Sequence, residues 1–234
     1  MSGKFHEQLK LRTRWLTAPI RKGPLKGKRW IVASGLNFIR GRYEIFKTEA
    51  FVNNIRTGDI VYDIGGHVGY YSVLCATLAG EGGRVYVFEP RPMNIAYIRR
   101  HLELNGVENV ELIEAALSDQ AGQAQFDISS GTGTGHLAND GGLSVRTMVL
   151  DEMIDGKRYP YPDFLKMDIE GGEIRALNGA RRVVEQARPR MLLATHGEAT
   201  HEFVLDYLDG FGYRYEVLNP DATKGDTEII AWPD

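Results

Sequence analysis

The chain of 234 residues contains one cysteine, Cys75, and no apolar run near the roughly 18 residues that a membrane span requires. A single cysteine excludes an internal disulfide and a multi-cysteine zinc site. A secretory signal is not expected either, because the short apolar stretch at Trp15–Ile20 ends at two basic residues. Hydrophobic residues make up 43% and charged residues 25%, which excludes collagen-like and low-complexity chains. These features predict a globular protein of a reducing compartment, with the cytoplasm as the expected location.

The modest net charge of −3 combines two unlike parts of the chain. Residues 1–47 hold twelve Lys or Arg and two acidic residues, a net charge of +10, whereas the rest holds 16 basic and 29 acidic residues, a net charge of −13. Without a repeat or a Pro-rich linker, we expect one domain at residues 44–234 and a basic N-terminal extension at residues 1–43. The extension is expected to pack across the acidic domain, over the acceptor site or a homodimer partner. An Arg-rich targeting peptide is the alternative.

Short apolar runs alternate with helical patterns from about residue 59 onward. Five core strands are predicted at residues 60–62, 84–88, 110–113, 164–167 and 190–194. Helices are predicted at residues 68–78, 93–104, 172–185 and 201–209. Two last strands, 213–218 and 228–232, have no helix between them and predict an antiparallel hairpin. The pattern predicts an α/β fold with a mostly parallel sheet, whose ligands bind beyond the carboxyl ends of the strands.

A glycine-containing turn follows the first core strand. It reads Asp63-Ile64-Gly65-Gly66-His67-Val68-Gly69-Tyr70-Tyr71. Gly65 lets the backbone turn sharply, and Gly69 lets a ligand approach the beginning of the next helix, where free N–H groups favour an anion. The spacing does not fit the dinucleotide motif, which would need glycines at positions 67 and 70. The turn predicts a ligand site, with a purely structural strand–helix turn as the alternative.

Glu89 ends the second strand, 24 residues after Gly65. A carboxylate there can accept two hydrogen bonds from vicinal ribose hydroxyls, and its charge disfavours a 2′-phosphate. NAD-dependent dehydrogenases and S-adenosylmethionine-dependent methyltransferases both use this layout. Asp63 favours the methyltransferases, because a carboxylate suits the cationic amino acid end of S-adenosylmethionine, whereas dehydrogenases usually have an apolar residue there.

Five segments in order resemble the FkbM family of methyltransferases. They are residues 58–72, 87–90, 104–106, 115–119 and 164–173. The last contains Lys166-Met167-Asp168-Ile169-Glu170-Gly171-Gly172-Glu173, similar to the family's Lys-x-Asp-x-Glu-Gly-x-Glu signature. The chain departs from the family at Gly66-His67, where Ala-Asn is usual. The resemblance implies a seven-stranded, Rossmann-like class I methyltransferase fold. It also implies methyl transfer from S-adenosylmethionine, with S-adenosylhomocysteine as product, typically to a hydroxyl of a sugar or polyketide.

The resemblance also implies which residues bind the cofactor. They are Asp63, Gly65 and Gly69 for the methionine part, Gly66, His67 and Tyr70 as further cofactor-binding residues of the same turn, Glu89 for the ribose, Ala116 and Ser118 for the adenine, and Asp168 for the methyl donor. The adenine contact is often made through the backbone, so the identity of those two side chains matters less.

A general base would help methyl transfer, because an alcohol is a weak nucleophile near pH 7. The candidates are Asp168, Glu170, Glu173 and His196. Glu170 and Glu173 lie three residues apart at a helix opening, where two nearby carboxylates can raise one pKa. His196 ends the fifth strand and has a suitable unperturbed pKa. The alternatives are favourable charges at a helix N-terminus for the acids and a structural role for the histidine.

No essential metal is predicted. Some methyltransferases pair the strand-four Asp with Asp-Asn after strand five, whereas this chain has Thr195-His196, which leaves the oxygen ligands that Mg²⁺ prefers incomplete. The expected partner is a small-molecule hydroxyl acceptor, held by loops such as Ser129–Gly142.

Two other functions stay open. A nucleic-acid methyltransferase or binder is suggested by the basic residues that alternate with Trp15, Trp30 and Phe38. No Asn-Pro-Pro-Tyr-type motif follows the fourth strand, so nucleic acid is the less favoured partner. A non-catalytic module with a vestigial pocket is disfavoured by the intact glycines and acids.

Overall fold

The computed structural model describes residues 16–127, 142–156, 158–219 and 227–234, together with the backbone of residues 136–137. The strands are Thr17–Pro19 (β1), Arg29–Ile31 (β2), Ile60–Ile64 (β3), Arg84–Phe88 (β4), Val110–Ile113 (β5), Ala116–Leu117 (β6), Gly122–Asp127 (β7), His136–Leu137 (β8), Leu143–Met148 (β9), Phe164–Met167 (β10), Arg190–Thr195 (β11), Tyr213–Val217 (β12) and Thr227–Pro233 (β13). The helices are Leu36–Arg40 (α1), Ile45–Asn54 (α2), Tyr70–Ala79 (α3), Pro92–Leu104 (α4), Leu150–Asp155 (α5), Glu173–Asn178 (α6), Arg181–Ala187 (α7) and Glu198–Gly210 (α8). None of these helices is long and apolar enough to cross a bilayer.

A central sheet of seven described strands organises the molecule, in the order β12-β13-β11-β10-β3-β4-β5. The five strands from β11 to β5 are parallel, and β13 runs antiparallel to both of its neighbours. This confirms the predicted α/β class, the seven strands and the C-terminal antiparallel hairpin. The strand order reverses between β10 and β3, which is where such sheets bind ligands.

Both faces of the sheet are covered, because successive residues of a strand point to opposite sides. Val61 belongs to one hydrophobic cluster together with residues of α3 and α4, whereas its neighbour Tyr62 belongs to the cluster on the other face with residues of α6, α7 and α8. The same alternation holds for Phe164 and Leu165 in β10. Because these strands are buried on both faces, their sequences are mostly apolar and do not alternate regularly between apolar and polar residues.

The helix predicted at residues 172–185 is two helices, α6 and α7, separated at Gly179. A Cβ added to Gly179 would lie 2.3 Å from the carbonyl oxygen of Ser118, and the carbonyl of Gly179 accepts the backbone N–H of Asp151 at 2.9 Å. The helix is therefore interrupted where two distant segments contact its backbone. The helical periodicity of the sequence carries no sign of such long-range contacts.

The described part of the basic extension packs against the domain. Trp30 is fully buried and stacks on His101 of α4, with ring centroids 3.5 Å apart. The backbone N–H of Ile31 points at Nε2 of His101 at 3.1 Å, so Nε2 accepts, and Nδ1–H donates to the carbonyl of Val68 at 2.7 Å. A neutral imidazole thus joins residues 30–31 to Val68 of the glycine turn.

Replacement of His101 by glutamine tests this connection through its pH dependence. Burial lowers the pKa of His101 to about 4, so the unfolded chain takes up a proton at higher pH than the folded chain does. Its stabilisation is complete above pH 6.5 and decreases as the pH falls towards 4. We expect the difference in unfolding free energy between the natural protein and His101→Gln to shrink by about 2 kcal/mol between pH 7 and pH 5. Urea denaturation at both pH values measures it, and a constant difference would contradict it.

Candidate active site

Two adjoining pockets open at the carboxyl ends of β3, β4, β10 and β11. The first extends over β4 towards residues 115–117, and the second extends over β11 towards α2. They share the wall formed by Gly65, His67, Asp168 and Glu170. A group bound in the first pocket can therefore meet a group bound in the second at this shared wall.

The glycine turn brings β3 and β10 together at the shared wall. Gly65 has a φ of +85°, and a Cβ there would lie 2.0 Å from the carbonyl oxygen of Asp168. Only glycine allows this approach, because the clash is with backbone. His67 follows with a φ of +49°, which is uncommon for a residue with a side chain. The turn thus places His67 opposite the end of β10.

Glu89 lies in the first pocket with both carboxylate oxygens held by backbone N–H groups. Oε2 accepts from His67 at 2.8 Å, and Oε1 accepts from Arg91 at 2.9 Å. Burial raises the pKa of Glu89 to about 7, although these hydrogen bonds lower it in part. The rest of this pocket is largely apolar, and its walls include Phe88, Ala115, Leu117, Phe126 and Ile169.

Lys47 of α2 lies in the second pocket, where it contacts three carboxylates. Its Nζ lies 2.5 Å from Oδ2 of Asp168, 3.4 Å from Oε2 of Glu44 and 3.6 Å from Oε1 of Glu228, and the side chain is only 4% exposed. Burial alone would lower the pKa of Lys47, but Asp168 and Glu44 outweigh it and raise the pKa above its ordinary value. Lys47 is therefore a fixed cation that orients Asp168.

His196 is held beside the same aspartate by a buried glutamate. Its Nδ1–H donates to Oε1 of Glu173 at 2.9 Å, and its Nε2 lies 3.5 Å from Oε2 of Glu170 and 3.8 Å from Oδ1 of Asp168. Glu173 is fully buried and also accepts the backbone N–H groups of Ile169 and Gly171. Glu173 thus fixes the ring of His196, and Nε2 faces the other two acids.

The charges of this cluster shift one another's pKa values. Burial would raise the pKa of Asp168, but Lys47 and Lys166 lower it below its usual range. Burial lowers the pKa of His196, yet the hydrogen bond and charge of Glu173 outweigh this and raise it to about 9. Burial raises the pKa of Glu170, with a partial opposing effect from His196. The cluster accordingly contains an ionised aspartate next to a strongly basic imidazole.

The structure brings most of the predicted site residues to the two pockets. The first pocket includes Gly65, His67, Glu89, Ala116, Asp168 and Glu170, and the second includes Gly65, Gly66, His67, Tyr70, Asp168, Glu170 and His196. Four predicted site residues are not among the described residues that line either pocket: Asp63, Gly69, Ser118 and Glu173. Gly69 instead faces Ile98, and the hydroxyl of Ser118 donates to Asp119.

Asp63, predicted to bind the cofactor, is not among the residues that line either pocket in the part of the chain that the structure describes. It is fully buried, and its Oδ2 accepts the hydroxyl of Ser72 at 2.6 Å. Its Oδ1 lies 3.0 Å from Nζ of Lys166, which also donates to the carbonyl of Gly65 at 2.5 Å. Asp63 therefore supports the glycine turn through Lys166. In the same way, Glu173 supports His196 and does not line the pocket.

Sequence reasoning missed Lys47, although a signal for it exists. Lys47, Ala50 and Phe51 lie at helical spacing on one face of α2, and all three are buried. A lysine at a position where the pattern expects an apolar residue is unusual, because an isolated buried ammonium is costly. Such a lysine indicates a carboxylate partner, but α2 itself does not identify Asp168 as that partner.

His67 has an unused hydrogen-bonding atom at the shared wall. Burial lowers the pKa of His67 to about 4, with a further lowering from Lys166, so its imidazole is neutral at pH 7. Its Nε2 is buried and has no hydrogen-bond partner among the described residues. A buried polar atom without a partner is costly in the free protein and suits contact with a ligand.

The sheet topology together with a strand-end site of this kind defines a class I methyltransferase fold. The chain belongs to the FkbM methyltransferase family, because the model described as "Methyltransferase FkbM domain" matches residues 63–215. This confirms the resemblance seen in the sequence.

Individual relatives are more distant. The chain is 24% identical over 149 residues to "Hexuronic acid methyltransferase AglP" of Haloferax volcanii, a match that covers 63% of this chain and 59% of the relative. The solved structure of a methyltransferase FkbM from Methylobacillus flagellatus KT has a TM-score of 0.57 at 17% identity, and the match covers 99% of this chain and 59% of that one. Fibrillarin of Aeropyrum pernix, solved with bound S-adenosyl-L-methionine, has a TM-score of 0.51 at 14% identity. This match covers 80% of this chain and 74% of the fibrillarin chain. The chain thus spans about three fifths of the length of AglP and of the first structure.

Proposed function

We propose that the protein is an S-adenosylmethionine-dependent O-methyltransferase that acts on a hydroxyl of a small molecule of the sugar type. The observation that carries this proposal is the shared wall between a pocket suited to a nucleoside and a pocket lined by charged groups. Membership of the FkbM family supports methyl transfer, and the hexuronic acid named for AglP supports a sugar-type acceptor.

The first pocket suits the nucleoside part of S-adenosylmethionine. Glu89 is fixed by two backbone N–H groups, and its remaining lone pairs can accept hydrogen bonds from vicinal ribose hydroxyls. The apolar walls around Phe88 and Leu117 suit an adenine ring. His67 lines both pockets, and its buried Nε2, which has no hydrogen-bond partner among the described residues, is a candidate to hydrogen-bond the methionine part or the acceptor.

The second pocket would hold the acceptor hydroxyl at Asp168. S-adenosylmethionine supplies an activated methyl group on sulfur, so the protein's main task is to align the acceptor oxygen with the S–CH₃ bond. Lys47 holds one oxygen of Asp168, while the other remains on the side of His196 and Glu170. A hydroxyl that donates to this carboxylate gains electron density on its oxygen and releases its proton to the acidic cluster as the O–CH₃ bond forms.

The charge of the second pocket opposes a phosphate-rich acceptor. Glu44, Asp168, Glu170 and Glu228 all line it, against Lys47, Lys166 and the protonated His196, and Lys166 is already paired with Asp63. Repulsion between these carboxylates and phosphates would weaken binding of a nucleic acid here. Strong, salt-dependent binding of RNA or DNA oligomers would favour the alternative function.

The pH dependence of S-adenosylhomocysteine binding tests the role of Glu89. Ionised Glu89 accepts hydrogen bonds from ribose, and its pKa of about 7 means that it becomes protonated as the pH falls. We expect the affinity for S-adenosylhomocysteine to decrease about tenfold between pH 8 and pH 6. Isothermal titration at both values measures it, with NAD titrated in parallel.

The matched variant is Glu89→Gln, which keeps the shape of the side chain and removes its charge. It should bind S-adenosylhomocysteine more weakly at pH 8 and lose the change between pH 8 and pH 6. Tight NAD binding with no response to S-adenosylhomocysteine would contradict the proposed function.

A further inference from the structure

We propose that Asp168, Glu170 and His196 bind one divalent cation at the shared wall of the two pockets. In the proposed reaction, on which this second role rests, the ion would hold the acceptor hydroxyl and increase its acidity, so that its proton would pass to a carboxylate oxygen of the cluster that the ion does not occupy while the methyl group moves from sulfur to oxygen. The sequence predicted no metal because Asp-Asn is missing after the fifth strand. The structure brings Glu170, from the loop after β10, to the position where another ligand is needed.

The donor atoms have the separations that a small cation requires. One ligand atom of each residue lies within 4.8 Å of the other two, and Nε2 of His196 is 3.5 Å from Glu170 and 3.8 Å from Asp168. Two ligands of a tetrahedral ion, each at ~2.1 Å from it, lie ~3.4 Å apart. Small side-chain shifts therefore suffice to complete the site, with open positions facing the pockets.

The histidine is oriented as metal-binding histidines are. A ligating imidazole usually donates its other N–H to a carboxylate, which fixes the tautomer and the ring. Here Nδ1–H donates to Glu173, whose oxygens are also fixed by backbone N–H groups. Glu173 leaves Nε2 directed towards Asp168 and Glu170. Lys47 occupies only Oδ2 of Asp168, so that Oδ1 is available.

The charge balance gives an independent reason for a cation. Besides the ion pair of Lys166 with Asp63, the groups that face this cluster are five carboxylates and Lys47. The five acids are Glu44, Asp168, Glu170, Glu173 and Glu228. This excess of negative charge remains even when His196 is protonated. A divalent ion would offset half of the net charge of these six groups, and mixed imidazole and carboxylate ligands suit Mn²⁺ or Zn²⁺.

The competing arrangement is a protonated His196 that bridges the same acids. An ion and a proton cannot both occupy Nε2, so titration with a metal distinguishes the two. The experiment uses chelator-treated protein without a polyhistidine tag, titrated with Mn²⁺ and followed by electron paramagnetic resonance, with Zn²⁺ followed calorimetrically. We expect one saturable site per chain. Glu170→Gln and His196→Gln should each weaken binding at least tenfold, whereas Glu108→Gln, an exposed acid in a different pocket, should leave it unchanged.

The proposed site would be overturned if neither Mn²⁺ nor Zn²⁺ showed saturable binding. It would also be overturned if Glu170→Gln and His196→Gln bound the ions as tightly as Glu108→Gln does. Turnover that is full after chelation would overturn the catalytic role of the ion. Binding of S-adenosylhomocysteine to the chelator-treated protein is measured separately. If S-adenosylhomocysteine does not bind, the result counts against the proposed function, whereas the metal titration still tests the cation site independently.

Discussion

Replacement of Asp168 by asparagine is expected to lower turnover by about 10²–10⁴-fold, while the protein stays folded. Asp168 lies in the wall shared by both pockets, where Lys47 binds one of its oxygens and His196 faces the other. Asparagine keeps the shape of the side chain but removes the charge that would accept the hydroxyl proton. Formation of S-adenosylhomocysteine from S-adenosylmethionine, with a hydroxyl acceptor that the natural protein methylates, measures the effect.

Measurement of the affinity for S-adenosylhomocysteine distinguishes a loss of catalysis in Asp168→Asn from a loss of cofactor binding. The nucleoside contacts proposed for Glu89 do not involve Asp168, so affinity should change much less than turnover. Asp209→Asn, an exposed aspartate on α8, is the matched control and should retain turnover. Unaltered turnover in Asp168→Asn would show that the catalytic assignment is wrong.

The parts of the fold that local patterns determine could be predicted from the sequence. The strand end at Phe88 follows from a short β-branched and aromatic run that stops at Glu89-Pro90, whereas the first core strand, predicted at residues 60–62, continues to Ile64. The positive φ of Gly65 follows from its place between a strand and a helix. The antiparallel hairpin β12–β13 follows from two strand patterns without a helix between them.

The pairing of charges could not be predicted, because the partners are far apart in sequence. Lys47 and Asp168 are 121 residues apart, and Lys166 selects Asp63 rather than the nearer acids of its own motif. A carboxylate in the glycine turn looks equally suited to a cofactor amine or to a lysine from β10. Only the register of β3 against β10, which places Asp63 opposite Lys166, distinguishes the two.

The position of the Glu170 side chain could not be predicted from the sequence either. In a continuing strand Asp168 and Glu170 would point to the same side. The strand β10 ends at Met167, however, and Glu170 has a φ of +59°, so its position close to Asp168 and His196 does not follow from strand geometry. A residue with a side chain adopts this conformation only when the surroundings favour it. Here the buried Glu173 binds the N–H groups of Ile169 and Gly171 on either side of Glu170.

Replacement of Lys47 by methionine is expected to lower the free energy of unfolding by about 3–5 kcal/mol. Methionine fills a similar volume, so the change removes mainly the charge. Glu44, Asp168 and Glu228 would then face one another without their shared cation, and an unpaired buried carboxylate is costly. Urea denaturation measures the loss, with Lys26→Met, an exposed lysine, as the control.

The double variant Lys47→Met with Asp168→Asn isolates the ion pair from the loss of packing. If the unpaired charge of Asp168 causes the instability, its neutralisation should recover stability, and the two changes should be non-additive by at least about 1 kcal/mol. If Lys47 contributes only through its methylene groups, the effects should add. Equal stability of Lys47→Met and Lys26→Met would show that the carboxylates do not require the cation. Because Lys47 also holds Asp168 in the shared wall, any recovered stability should leave turnover low, since the double variant lacks both members of the pair.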